Sequence, residues 1–408
     1  YVIPGADRAL CVDDNVVLFP IISSTWSSER QKHHWSPGNK IFALLPPLSA
    51  DSVAYFVRQA GNNYRHIAQL WDNARMRHFL LSCALIPDGL ALALETAIAF
   101  PNVGHSELTK QICLAFARRF KGGKMVRHQL AELALSGVLV QSLDPLVDGQ
   151  PLSHWLECGF ASGDEGQPVS VPFPALFNEA GPIVPGISQF TNFGQPFHWQ
   201  DFEALVPHII RLRCSSLYRL KENHLATLAE VFGSGPATVA HLRVDMTVVT
   251  CSKQWLVRKH GAAEQLKVLN RDVQIDAGLA GMINFGSLGH VFAATDGNVH
   301  FDGHLSFVTS DGRSVLVCYQ VKHTHITNDQ VTHFNWAQVM EWLKKARAFL
   351  EGYVADMKLF VIITNKEVRG IPENLPPDFI VVHQGNLGSF FAPCLLASAA
   401  LAHDDFGL

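Results

Sequence analysis

Ser314–Lys322 reads SVLVCYQVK, and this stretch decides how the surrounding chain is organised. It has the composition of a β-strand. Upstream, Val299–Phe307 (VHFDGHLSF) alternates as a second strand, and Ser310-Asp311-Gly312 between them is a turn. The two strands are therefore expected to form a hairpin. Gln320 and Lys322 lie two residues apart, so they point to the same face. An Asp at position 302 on one strand and a Gln-x-Lys on its neighbour can converge on one spot.

Downstream, a helix is expected over Asn328–Glu351, followed by the apolar strand Met357–Thr364 (MKLFVIIT). A Pro-rich loop, a strand at Phe379–Val382 and a helix from Leu387 complete the series. Strand pair, helix, strand, strand is the order of a small mixed sheet flanked by helices. Phosphodiester hydrolysis has a use for the spot on the hairpin. A carboxylate holds a divalent cation that polarises the phosphate and acidifies an attacking water, while a lysine positions that water and offsets anionic charge. Gln320 offers one neutral oxygen where many such sites use Glu, which increases the reliance on Asp302.

Asp302, Gln320-Val321-Lys322 and the elements after them resemble the PD-(D/E)XK nuclease superfamily, in its variant with Gln in place of the first acid. The resemblance implies an α/β fold with a restriction endonuclease-like αβββαβ core. It also implies Mg²⁺ or Mn²⁺ as cofactor and nucleic acid, DNA above all, as partner. Asp302 and Gln320 would be metal ligands and Lys322 the water-positioning cation. The superfamily places a further Glu on the helix that opens the domain, and the match is Glu203 in His198-Trp199-Gln200-Asp201-Phe202-Glu203. The distance in sequence from Glu203 to Asp302 then implies an insertion at about 218–295. His323 and His325 adjoin the site and are expected to be bystanders.

Further upstream, Val16–Ser23 and Ile41–Leu45 have strand character, and Pro46-Pro47-Leu48-Ser49 predicts a helix with Ser49 as N-cap. Helices are expected over Asn73–Cys83, Leu90–Ala99, Ser106–Phe120 and Lys124–Leu139. Trp155–Ala161 and Pro168–Pro172 look like the strands of a wing, or of a hairpin beside a helical lid. Pro and Gly are dense over 172–194, marking a linker. Trp199–Leu217 reads as one amphipathic helix with Phe202, Leu205, Ile209 and Leu212 on one stripe, and Pro207 is a place for a kink or break. A further helix is expected at Asn223–Phe232 and a strand at Met246–Thr250, with a Gly-rich loop around 278–289.

Totals set the limits. With 408 residues, two or three domains are expected, and 48% hydrophobic against 17% charged residues gives ample core material. The net charge of −4 does not mark a nucleic-acid binder, although Arg118, Arg119, Lys121, Lys124 and Arg127 form a local basic cluster. The eight cysteines are dispersed with no CxxC pair, and the 20 histidines form no HExxH cassette, so zinc modules and disulfide frameworks are not expected. Phe79–Phe100 is interrupted by Asp88 and Glu95, which argues against a membrane span. Tyr1 is not an initiator Met and no signal-peptide layout follows it, which predicts a fragment or a processed chain.

The strands before Pro46-Pro47-Leu48-Ser49 and the segment Met76–Ser82 resemble the second half and lid of an AAA-like or STAND-like P-loop ATPase. No GxxxxGK[ST] is present, so ATP is not expected to bind this chain. An ATPase-like half, a wing-like middle and a QVK nuclease together resemble the Crinkler and retrotransposon-hot-spot proteins. That resemblance implies ATPase-like 1–102, winged-helix-like or lid-like 103–190 and nuclease-like 195–408. It also implies an intracellular and nuclear protein, in a host nucleus if it is a secreted effector. The alternatives are an inactive nuclease-fold module that binds nucleic acid or protein, and an NTP-dependent regulator.

Overall fold

The computed structural model describes residues 48–84, 87–119, 128–157, 161–178, 181–184, 199–233, 242–247, 250–253, 258–259, 266–267, 274–275, 288–293, 301–322, 333–351 and 354–392. Over these the chain is mixed α/β, with helices packed against a mixed multi-strand sheet. The sheet has six strands, β1 (Thr250–Lys253), β2 (His290–Ala293), β3 (Gly303–Val308), β4 (Ser314–Lys322), β5 (Met357–Thr364) and β6 (Phe379–Val382), lying side by side in chain order. β2, β3 and β4 form an antiparallel meander. β1 pairs parallel to β2, while β5 and β6 continue from β4 in parallel.

From Val315 to Tyr319 β4 is apolar without a break, as suits a strand covered on both faces. Val315, Val317, Tyr319 and Val321 enter one core with Leu359, Val361 and Ile363 of β5 and Ile380 and Val382 of β6. Leu316 and Cys318 enter a second core with Phe360, Ile362, Phe379 and Val381. This is the two-residue period of a strand expressed on two layers.

Each layer has its helix. The first core receives Phe202, Leu205, Val206, Ile209 and Leu212 from a helix at Trp199–Leu220. The second receives Val339, Leu343 and Ala346 from a helix at Trp336–Phe349. In chain order the helices are α1 (Ala50–Asn63), α2 (Arg65–Asp72), α3 (Ala74–Cys83), α4 (Pro87–Ala99), α5 (His105–Arg119), α6 (His128–Ser136), α7 (Leu152–Glu157), α8 (Trp199–Leu220), α9 (Leu228–Phe232), α10 (Trp336–Phe349) and α11 (Leu387–Phe390). The first core is continuous from Val53 of α1 to Phe391, so helical part and sheet share buried apolar surface.

Several expectations are met closely. Ser49 caps α1, its side chain accepting from the Ser52 N–H. The hairpin strand Ser314–Lys322 and the strands Met357–Thr364 and Phe379–Val382 form over those residues. α8 runs through Pro207 without a break. The strands expected at Val16–Ser23 and Ile41–Leu45 lie outside the described residues, as do His323, His325 and most of the Gly-rich loop.

Others are corrected. Trp155 lies in a helix, not a strand. Leu152, Trp155 and Leu156 are buried at helical spacing and the Trp155 indole donates to the Val147 carbonyl at 2.8 Å. The expected wing reduces to isolated bridges, Leu139 with Pro168 and Ser162 with Ser170. Asn223–Phe232 is not one helix: Leu225–Thr227 pairs with Arg243–Asp245, and α9 starts only after Thr227. Thr227 and Glu230 form a capping box there, which fixes the late start. The strand expected at Met246–Thr250 is shifted, with pairing at Arg243–Asp245 and Thr250–Lys253 on either side. α10 begins at Trp336 because His333–Asn335 is extended and pairs with Glu367–Arg369. Finally, β3 begins at Gly303, so Asp302 stands just before the strand.

Candidate active site

The hairpin register sets the geometry. Gly303 lies opposite Tyr319 and His304 opposite Cys318. One residue earlier, the Asp302 N–H donates to the Tyr319 carbonyl at 2.8 Å. The Asp302 carboxylate turns back across the pair, its Oδ2 accepting from the Val321 N–H at 2.6 Å. The acid is thus tied to the backbone of the residue that separates Gln320 from Lys322.

Gln320 and Lys322 continue the parity of Leu316 and Cys318, so they face the layer of α10. Gln320 is buried, with 8% of its surface exposed. Lys322 is half-buried, and its Nζ lies 5.5 Å from the centre of the Trp342 ring on α10. An ammonium over an indole face is attracted by the ring quadrupole, and this gives the lysine a preferred position. Burial pushes the Asp302 carboxyl above its usual pKa; the Lys322 charge and the Val321 N–H pull it down without cancelling that effect. A further cation near this carboxylate would restore its ordinary acidity.

Two neighbours were not singled out from sequence. His304 is buried beside Asp302, and burial depresses its pKa to about 3, so the ring is neutral near pH 7. The signal for it was the alternation in Asp302-Gly303-His304, which continues the hairpin pattern. The second is the bend Thr364-Asn365-Lys366 at the end of β5. Thr364 pairs in register with Lys322, and all three residues are buried, Lys366 to 1% exposure. The Lys366 N–H donates to Thr364 Oγ1 at 3.1 Å, and its carbonyl accepts from the Gln384 N–H at 3.1 Å. A polar TNK directly after the apolar MKLFVIIT was its signature in the sequence.

Glu203 stands apart. It is half-buried on α8, which packs on the Tyr319 and Val321 face of the sheet. The structure brings Asp302, Gln320 and Lys322 together and assigns Glu203 to the layer across the sheet from Gln320 and Lys322. No family model, curated protein or solved structure matches this chain. What the site can do is therefore argued from its geometry.

Among the described residues no group of three His, Cys, Asp or Glu side chains is placed to hold a metal ion. Asp302 and the Gln320 amide oxygen remain as oxygen donors on the hairpin. That pair suits a small hard cation that keeps most of its shell from water and substrate phosphate, as Mg²⁺ does, and does not suit a closed zinc site. β4, β5 and β6 are parallel, so Lys322, Thr364 and Val382 end at one edge of the sheet. The carboxyl edge of parallel strands is where open α/β sheets bind ligands.

Proposed function

We propose that this chain carries a metal-dependent nuclease site of the PD-(D/E)XK type that hydrolyses phosphodiester bonds, with DNA as the preferred substrate. The observation that carries this reading is the Asp302 carboxylate bound to the Val321 N–H, between Gln320 and Lys322 on adjacent strands. The order α8, β2, β3, β4, α10, β5, with the meander β2–β4 and β5 parallel to β4, supports a restriction endonuclease-like αβββαβ core.

Asp302 and Gln320 would hold Mg²⁺ or Mn²⁺, which when bound supplies a polarised phosphate and a more acidic water. Asp302, anchored by the Val321 N–H, keeps one geometry rather than following the substrate. Lys322 offsets the charge that builds on the phosphate oxygens and donates to the attacking water. Trp342 limits the positions its ammonium can take. Glu203 would act as an auxiliary ligand only by reaching around the sheet from α8.

The wider reading rests on this site. α1 begins at the Ser49 cap expected of the lid in an ATPase-like region, and we place the chain with the ATPase-nuclease effectors of Crinkler and retrotransposon-hot-spot type. DNA as partner and a nuclear site of action belong to the same proposal. No helix among the described residues is long and apolar enough to cross a membrane.

The test is Mg²⁺-dependent cleavage of plasmid and linear DNA, assayed beside Lys322→Ala and Asp302→Asn. Cleavage by the wild type is expected to fall at least a hundredfold in each variant, in line with the loss of a charge-stabilising group. Equal cleavage by wild type and Lys322→Ala would overturn the reading. A second reading, a nuclease fold retained for binding, is favoured by Gln320, which leaves the site one acid short. DNA binding with no metal-dependent cleavage by the wild type would select it.

A further inference from the structure

Asn365 occupies the bend after β5, one residue beyond the register partner of Lys322. Only 3% of its surface is exposed, and both its side-chain Nδ2 and Oδ1 are buried with no hydrogen-bond partner. A side-chain amide buried in that way forfeits the hydrogen bonds it would make with water, and native structures rarely tolerate this without a purpose. The placement supplies one. Asn365 follows Thr364 at the carboxyl edge where β4, β5 and β6 end, and Thr364 is the residue that pairs in register with Lys322. A half-buried lysine and an unsatisfied amide donor at one strand edge make a place for an anion, and the anion that belongs to this site is a phosphodiester.

We propose that Asn365 is a phosphate-contacting residue of the nuclease site, its Nδ2 donating to a non-bridging oxygen of the bound nucleic acid. The proposal rests on the nuclease reading and adds a residue outside the Asp302–Gln320–Lys322 hairpin. In the free protein the amide is a burden on stability, and bound substrate relieves it. Stability and affinity therefore respond in opposite directions when the amide is removed, which a structural role would not produce.

The experiment compares wild type with Asn365→Leu and Asn365→Asp. Binding of a fluorophore-labelled DNA duplex is read by anisotropy in Ca²⁺, cleavage in Mg²⁺, and thermal unfolding without DNA. Asn365→Leu, similar in shape and apolar, is expected to unfold at the same or a higher temperature and to bind DNA about tenfold more weakly. The weakening should raise KM with kcat little changed. Asn365→Asp keeps the shape, opposes the phosphate with like charge, and should bind more weakly still; it also serves as the decisive variant if the leucine form fails to fold. Wild-type affinity in a folded variant overturns the role of Asn365 while leaving the nuclease reading intact. A wild type that neither binds nor cleaves DNA overturns both.

Discussion

At the residue scale, the site turns on how one lysine is held. The ammonium of Lys322 has the Trp342 face 5.5 Å away, and Trp342 is itself set edge-on to Phe334 at 5.1 Å. Replacing Trp342 with Leu keeps an apolar side chain, though a smaller one, against Phe334 and removes the quadrupole that draws the ammonium. A cation–π contact at a partly exposed position contributes about 0.5–1 kcal/mol. On the proposed nuclease reading, Trp342→Leu should therefore lower kcat of DNA cleavage about threefold to fivefold. Single-turnover rates check this, since they isolate chemistry from release. Unchanged rates would show that the indole has no part in placing the lysine. That Asp302 would meet the Gln320-Val321-Lys322 stretch was legible in the sequence because a hairpin brings its two strands together, although Asp302 itself stands just before β3. The approach of Trp342 to Lys322 and the pairing of Thr364 with Lys322 were not legible, because they depend on the crossover of α10 and on the pairing of β4 with β5. Neither is encoded in local spacing.

At the element scale, the apolar strands Met357–Thr364 and Phe379–Val382 follow from the sequence to the residue, whereas elements fixed by distant partners do not. Met357–Thr364 and Phe379–Val382 carry their own apolar signature, whereas Trp155 reads as strand or helix until its indole finds the Val147 carbonyl. The short pairing at Leu225–Thr227 likewise depends on Arg243–Asp245, which no local pattern announces. Arg213 in the middle of α8 shows how such partners hold elements together. Its guanidinium is buried and donates to the carbonyls of Ser136, Glu230, Val231 and Phe390, which join α6, α9 and α11 to α8. Burial lowers its pKa to about 10, so the group stays charged at neutral pH. Gly137 and Gly233 complete the junction. Both have positive φ, and a Cβ on Gly233 would lie 2.2 Å from the Ser389 carbonyl oxygen. Arg213→Met leaves these carbonyls buried and unpaired, and each such loss costs about 1–3 kcal/mol. A loss of at least about 3 kcal/mol in urea unfolding is expected, because several carbonyls are orphaned together. A variant as stable as wild type would mean that the clasp is dispensable.

At the scale of the whole molecule, the first core runs from α1 into the sheet, so the helical part and the candidate site belong to one packed body. A buried charge lies on the seam. Glu132 of α6 is almost fully buried and receives Arg211 Nη1 at 2.9 Å and Arg219 Nη1 at 2.5 Å, both from α8, with His128 Nε2 at 3.3 Å. Burial works against its ionisation, but the Arg219 hydrogen bond and the charges of Arg219, Arg211 and His128 outweigh this, and its pKa falls below the ordinary glutamate value. A carboxyl whose folded pKa lies below its unfolded pKa contributes stability that is fully present above the unfolded value. That stability is lost as pH falls through the folded value. Wild-type protein should therefore hold its urea midpoint from neutrality down to the ordinary glutamate range and lose it progressively below. Glu132→Gln removes the charge and leaves two arginines facing a neutral amide. It should be less stable at pH 7 by about 3 kcal/mol, the scale of breaking a buried ion pair, and should lose less on acidification than wild type. Because the two parts share a core, both should unfold in one transition in either protein. Fluorescence of two variants, one retaining only Trp155 and the other only Trp342 of the eight tryptophans, measures this from the two sides of the seam. Midpoints that separate for the two single-tryptophan variants would show that α6 and α8 are joined more weakly than the Glu132 network requires.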